Sequence, residues 1–315
     1  MIGDDHQLTP GYVARHLPPG SNADRGIALL DISQDFLLAH LQQRGLFDEI
    51  VVLKGGTAIR KLFAGPQGRF STDLDLAARE PNVDPAVTAE LIATESRVTL
   101  GPFQFTPLLQ RGRWSIAVSS EFGDPVQRIK LDVGPPCWTE PEVRAFVPHP
   151  THPRYRFQLP SLPTMRLEEL LAEKVARLSR RSTARDAFDL VWAATTTPHS
   201  QFARADVRRM AVLKTWVDNL GMQPGWSPAI APAPFDAKKW FSPRDNWDDE
   251  QIGLLARPAP ALPELERNLH RLYEWLRELT PDEVRWATAG PRDRADVIRA
   301  IQTCEHAALA DVALR

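Results

Sequence analysis

Lys54-Gly55-Gly56-Thr57-Ala58-Ile59-Arg60, followed after a short loop by Arg69-Phe70-Ser71-Thr72-Asp73-Leu74-Asp75-Leu76, is the stretch that decides the fold. Ahead of it, Glu49 to Leu53 is a β-branched, apolar run that predicts a strand. The Gly-Gly-Thr that follows opens a helical segment. A turn of two glycines and a hydroxyl at a helix N-terminus suits an anion. Backbone N–H groups and the helix dipole favour negative charge there, and the missing Cβ atoms let a phosphate approach closely. From Ser71 to Leu76, alternation puts Ser71, Asp73 and Asp75 on one strand face and Thr72, Leu74 and Leu76 on the other. Two carboxylates then point the same way, with Cα atoms roughly 6.6 Å apart. Such a pair can share hard divalent cations. Strands are depleted in Asp, so two in one strand downstream of this turn indicate a metal site rather than a solvated face.

Two later segments supply partners. Val126 to Val133 sets Ile129, Leu131 and Val133 on one face against Arg128, Lys130 and Asp132 on the other. Asp132 therefore belongs on a strand beside the Asp73/Asp75 strand, and three carboxylates are what a two-metal site wants. Gly134-Pro135-Pro136 ends that strand. In the helix predicted from Met165 to Arg180, Leu167, Leu170, Leu171 and Leu178 form one stripe with Lys174 in its middle. Unless it snorkels to solvent, that lysine needs an anionic partner. Downstream, Arg185 and Asp189 are an i,i+4 pair within Arg185-Asp186-Ala187-Phe188-Asp189-Leu190. Asp189 flanks the Phe188/Val191/Trp192 face and so ranks above Asp186, which lies opposite it.

At these residues the chain resembles the minimal nucleotidyltransferases of the polymerase-β superfamily, specifically the AbiEii-type toxin family. The likeness runs from about Asp31 to Trp192 through the Gly-Gly-Thr turn, the Arg-x-Ser-x-Asp-x-Asp strand, the third Asp strand and the helical Lys and Asp. It implies the toxin of a toxin–antitoxin or phage-defence system. The implied reaction adds a nucleoside monophosphate from an NTP to an acceptor hydroxyl with loss of pyrophosphate. The implied acceptor is RNA, above all the 3′ end of tRNA, whose blocking halts translation. In this scheme Asp73 and Asp75 bridge two Mg²⁺ (or Mn²⁺) ions and Asp132 completes the site that activates the attacking oxygen. Gly55, Gly56 and Thr57 hold the β- and γ-phosphates, Lys174 neutralises them, and Asp189 orients Lys174 or Arg185. Apart from the resemblance, the place of Ser71 on the carboxylate face leaves two readings open: its hydroxyl hydrogen-bonds the Gly55-Gly56 turn, or it is a switch where a phosphoryl group would add about −1.5 to −2 charges and silence the site. The implied partners are the NTP, the tRNA and a cognate antitoxin protein. The alternatives are transfer to a protein hydroxyl, or a non-catalytic nucleotide- or antitoxin-binding module, against which three intact acids count.

Composition sets bounds. At 315 residues with 43% hydrophobic content the chain can bury one large core or two smaller ones. No apolar run approaches the roughly 20 residues needed to span a bilayer, and Met1 to Gln7 is acidic and polar, so the cytoplasm is the default and no membrane partner is expected. The chain is expected to act as a monomer. Cys137 and Cys304 are the only cysteines, too few for a disulfide framework or a zinc ligand set. His149-Pro150-Thr151-His152 reads as a Pro-rich loop. The net charge is −2, but Lys174 to Thr215 carries +6, a basic helical region suited to a phosphate backbone.

The fold class predicted is α+β, a polymerase-β-like nucleotidyltransferase mixed sheet core with a helical C-terminal region. Residues 1–30 read as an N-terminal arm that includes a short helix begun by Thr9-Pro10. Residues 31–160 read as the nucleotidyltransferase core, and 161–315 as the helical region with a Pro/Trp-rich insertion at about 221–263. Within the core, Asp31 to Arg44 and Asp84 to Thr99 read as helices. Phe103 to Leu108, Trp114 to Phe122 and Val126 to Val133 read as strands, with Tyr155 to Leu159 as an edge strand. Beyond the insertion, helices are expected over Glu264 to Leu279, from a Thr280-Pro281-Asp282-Glu283 start, and over Arg292 to Leu314.

Overall fold

Strands β1 (Val51–Lys54), β2 (Asp73–Ala78), β3 (Val98–Leu100), β4 (Phe103–Gln110), β5 (Arg113–Ser120), β6 (Gln127–Gly134), β7 (Glu142–Ala145) and β8 (Ser161–Thr164) build one mixed sheet. Its order is β3-β4-β5-β6-β2-β1-β8-β7, with β2/β6 and β1/β8 parallel and the other pairs antiparallel. The structure, a computed structural model, describes residues 2–21, 23–178, 183–196, 201–218, 253–255 and 262–304. Among them the helices are α1 (Pro10–His16), α2 (Arg25–Gln43), α3 (Leu46–Glu49), α4 (Gly55–Ala58, continued by a π turn at Ile59–Ala64), α5 (Pro85–Glu95), α6 (Leu167–Leu178), α7 (Ala184–Thr195), α8 (Arg204–Trp216), α9 (Leu262–Leu272), α10 (Pro281–Ala287) and α11 (Arg294–Gln302). This is the α+β class with its helical C-terminal region. The chain divides into one unit of Met1–Cys137, Pro141–Met165 and Ile252–Ala259 and another of Trp138–Glu140, Arg166–Gln251 and Pro260–Arg315.

Several boundaries differ from the sequence reading, each for a local reason. The run at Glu49–Leu53 is split: Glu49 closes α3, and the strand starts at Val51 and reaches Lys54. The helix predicted over Asp84–Thr99 stops at Glu95, because Val98–Leu100 pairs with β4. Helix α2 begins at Arg25, not Asp31, since Asp24 caps it by accepting from the Ile27 N–H at 2.9 Å; Gly45, at φ +77°, follows its end. Residues 25–30 therefore belong to a core helix rather than an arm. Tyr155 to Leu159 is not an edge strand. Tyr155 is fully buried and its hydroxyl donates to Asp35 at 2.7 Å, while β7 takes the sheet edge. The helix expected over Glu264–Leu279 ends at Leu272 and passes into a 3₁₀ turn at Glu274–Arg277. The predicted capping box at the start of α10 is formed on both sides. Trp226, Trp240 and Trp247 of the Pro/Trp-rich insertion, and the end of the Arg292–Leu314 helix, lie outside the described residues.

A buried charge network ties α1, α2 and the π turn together. Lys61 Nζ sits 2.8 Å from both Asp31 Oδ1 and Asp35 Oδ1, and Arg60 Nη2 is 3.0 Å from Asp31 Oδ2. His16 Nε2 reaches the same oxygen at 2.7 Å. Burial opposes charge on Asp35, but Lys61 and His152 outweigh it and bring the carboxyl down to about 2. Burial and the charges of His16 and Arg60 bring His149 down to about 3. Both shifts have the same sign for stability. The unfolded chain takes up protons first, so stability declines from about pH 6.5 through His149 and again below about pH 4 through Asp35. Melting followed by circular dichroism should therefore show a midpoint falling steadily from pH 6.5 downward, and His149→Gln should flatten only the upper limb. A flat wild-type midpoint between about pH 6.5 and 4.5 contradicts this.

Candidate active site

Strand β1 ends at Lys54, and the chain turns at once into α4 through Gly55, whose φ of +72° lies in the left-handed region that side chains avoid. Space matters as much as backbone angle. A Cβ on Gly55 would collide with the Asp75 carboxylate, and one on Gly56 with the Arg69 guanidinium. Two glycines stand here because the acid and the arginine pass directly against the turn. Thr57 is fully buried, and its hydroxyl donates to the backbone carbonyl of Asp73. That bond fastens the turn to β2, leaving the backbone of Gly55, Gly56 and Thr57 as the part that can meet an anion.

Ser71 departs from the predicted alternation. The strand begins at Asp73, so Ser71 lies ahead of it, 4% exposed, with Oγ 3.5 Å from the Asp73 carbonyl and its own carbonyl accepting from Gln34 Nε2 at 3.0 Å. It packs inward rather than sharing the carboxylate face, and a phosphoryl group on it would have to displace buried neighbours.

Register assembles the acids. Asp75 is paired across β1/β2 with Lys54 and across β2/β6 with Asp132, while Asp73 is paired with Lys130. Asp73, Asp75 and Asp132 border one cleft of about 640 Å³, whose far rim is the start of α5. Among the described residues no three His, Cys, Asp or Glu side chains are gathered as a metal-binding cluster. The donor set itself, carboxylate oxygens on neighbouring strand positions, is the kind a hard divalent cation takes.

In the second unit Lys174 lies in the apolar stripe of α6, 4% exposed. Its Nζ is 2.9 Å from Asp186 Oδ1 and 2.7 Å from Asp189 Oδ2. Asp186 is as deeply buried as Asp189 and also accepts the Thr183 hydroxyl at 2.8 Å, so the ranking of Asp189 above it does not hold: both acids serve Lys174. The basic region loses much of its outward charge. Lys214 pairs with the buried Glu169 at 2.9 Å and Arg208 with Glu283 at 2.8 Å, while Arg209 donates to the Ala300 carbonyl and the Thr303 hydroxyl.

Residues 36–277 match the family described as nucleotidyl transferase AbiEii toxin, type IV TA system. The chain belongs to the AbiEii family. It is similar to MenT4, the nucleotidyltransferase toxin Rv2826c from Mycobacterium tuberculosis H37Rv, at 34% identity and TM-score 0.77 over 95% of this chain and 100% of that one. JHP933 from Helicobacter pylori is 16% identical with TM-score 0.42, over 81% of this chain and 95% of that one. No curated protein matches significantly. This AbiEii-family chain is thus a nucleotidyltransferase toxin of a type IV toxin–antitoxin system. No helix among its described residues is long and apolar enough to cross a membrane.

In this AbiEii toxin, sequence patterning gave Arg69, which packs against the glycine turn, no role of its own, ranked Asp186 below Asp189, and missed the Asp31/Asp35–Arg60/Lys61 network. The network had a signal. Asp31 and Asp35 stand one turn apart amid Leu30, Ile32 and Phe36, and Arg60-Lys61 interrupts Ala58, Ile59, Leu62 and Phe63, so charges of opposite sign sit inside two apolar runs.

Gly55→Ala should keep the fold yet lower nucleotide transfer by about 100-fold, because the new methyl displaces Asp75 and misplaced catalytic groups cost about that much. Gly45→Ala is the control: its φ is +77° but nothing lies within 4 Å, so it suffers backbone strain alone. Transfer assays with circular dichroism check both, and equal activity in the two variants contradicts the assignment.

Proposed function

We propose that this AbiEii toxin transfers a nucleoside monophosphate from an NTP to the 3′ hydroxyl of tRNA and thereby blocks translation in the cytoplasm until a cognate antitoxin neutralises it. The observation that carries the reading is the strand register that sets Asp75 beside Asp132, with Asp73 two residues away on the same cleft and Gly55 turned against Asp75. The acceptor oxygen attacks the α-phosphorus. A P–O bond forms as the bond to the β-phosphate oxygen breaks, pyrophosphate leaves, and the hydroxyl proton passes to Asp132. Backbone N–H groups of Gly55, Gly56 and Thr57 receive the leaving phosphates. Asp73, Asp75 and Asp132 would hold Mg²⁺ or Mn²⁺, which when bound withdraws charge from the phosphate and acidifies the attacking hydroxyl. Lys174 and Asp189 keep the role toward the NTP that the resemblance gives them, and their ion pair with each other suits a positioned ammonium.

Purified toxin incubated with Mg²⁺, each labelled NTP in turn, and either total tRNA or protein extract tests the reading. Label entering tRNA, and lost on chelation, is the expected result. Label confined to protein moves the acceptor to a protein hydroxyl. A folded toxin that labels neither fraction overturns the proposal.

A further inference from the structure

The sheet order puts the acid-bearing β2 between two flanks, with the glycine turn growing from β1 on one and β6 and β5 continuing on the other. On that second flank Lys130 is the register partner of Asp73, and Ser115 of β5 is the partner of Lys130. Because β5 runs antiparallel to β6, Arg113 lies two residues from Ser115 in the direction of Asp132, while Arg128 lies two residues from Lys130 the other way. Arg113, Arg128 and Lys130 are all exposed, and all line the same cleft as the three acids. Gly55, Gly56 and Thr57 line none of it. Arg128 donates to Gln110 at 2.8 Å, whereas Arg113 and Lys130 have no side-chain partner among the described residues.

We infer that Arg113, Lys130 and Arg128 form a basic lane that seats the phosphate backbone at the 3′ end of the acceptor RNA. This rests on the tRNA reading above. In-line displacement sets the attacking oxygen opposite the leaving pyrophosphate. With pyrophosphate on the glycine turn, the acceptor hydroxyl arrives from the β6/β5 flank, past these cations. Exposed like charges that form no ion pair among the described residues can take an anionic partner from outside. An RNA strand carries a phosphate at every nucleotide, and a protein hydroxyl brings none. The basic helical run is the weaker candidate, because Lys174, Lys214 and Arg208 are paired within their own unit.

Arg113→Ala, Lys130→Ala, their double variant and Arg128→Ala test this, with binding of 5′-labelled tRNA followed by fluorescence anisotropy across a salt series and NTP binding by calorimetry. The double variant should lose tenfold or more in tRNA affinity, raise the KM for tRNA and keep NTP affinity. The slope of log K against log salt should become shallower by roughly 0.7–0.9 per cation removed. Exposed alanines leave the fold intact, which circular dichroism verifies. Lowered NTP affinity with unchanged tRNA binding would overturn the lane, assigning the cations to the triphosphate. A wild type that labels tRNA, with variants indistinguishable from it, overturns the lane and spares the acceptor reading. A wild type that labels only protein overturns both.

Discussion

Asp73→Ala and Asp75→Ala each yield a folded protein whose nucleotide transfer drops by about 10³-fold or more, the scale on which removal of one member of a catalytic set is felt. The expectation follows from position. Both side chains are half-buried at the cleft rather than locked in the core, so their loss leaves Leu74 and Leu76 packing as before. Neither can be replaced by the third acid, because Asp132 comes from a different strand and is level with Asp75 alone. Expressing cells should accordingly resume growth. Transfer, growth and circular dichroism are measured on one preparation, and a folded Asp73→Ala protein that still arrests growth removes the acid from the catalytic set.

Lys174→Met is the larger effect on stability. By sequence pattern alone Met suits the apolar stripe of α6 and the change looks mild. In the structure it leaves the Asp186 and Asp189 carboxylates, 2% and 1% exposed, without the ammonium that lies within 2.9 Å of both. Breaking a buried pair by deleting one partner costs about 3–5 kcal/mol, a large share of the 5–15 kcal/mol that holds a typical domain together. Urea titration should show the midpoint moving sharply down. Adding Asp186→Asn and Asp189→Asn to the same protein should restore most of it, because the buried charges deprived of the Lys174 ammonium are gone. A midpoint unchanged in Lys174→Met would mean that the two acids draw their compensation elsewhere.

Much of the site was legible because its signals are local. A glycine pair after a β-branched run, and Asp at alternate strand positions, survive any packing arrangement; β2 and β6 display them as the alternation predicts. The capping box at Thr280 is local for the same reason, four residues bonding to one another. Asp186 was misjudged because a helical wheel ranks residues by the hydrophobicity of their own helix, whereas α7 brings both acids to a lysine on α6. The +6 run misled because charge summed along the chain ignores partners far away in sequence, such as Glu169 for Lys214 and Glu283 for Arg208.

The sequence by itself determined the α+β class, the three carboxylates, the glycine turn and the family, since backbone propensity and side-chain periodicity are properties of short segments. Tertiary structure alone decided which strand lies beside which, and so that Asp75 meets Asp132, that Thr57 is bonded to β2, that Ser71 is buried, that Arg113 and Lys130 line the cleft, and that Lys174, Lys214 and Arg208 are paired within their own unit. The reason is that register, burial and ion pairing depend on distances between segments tens of residues apart, and those distances exist only once the sheet has closed around its core.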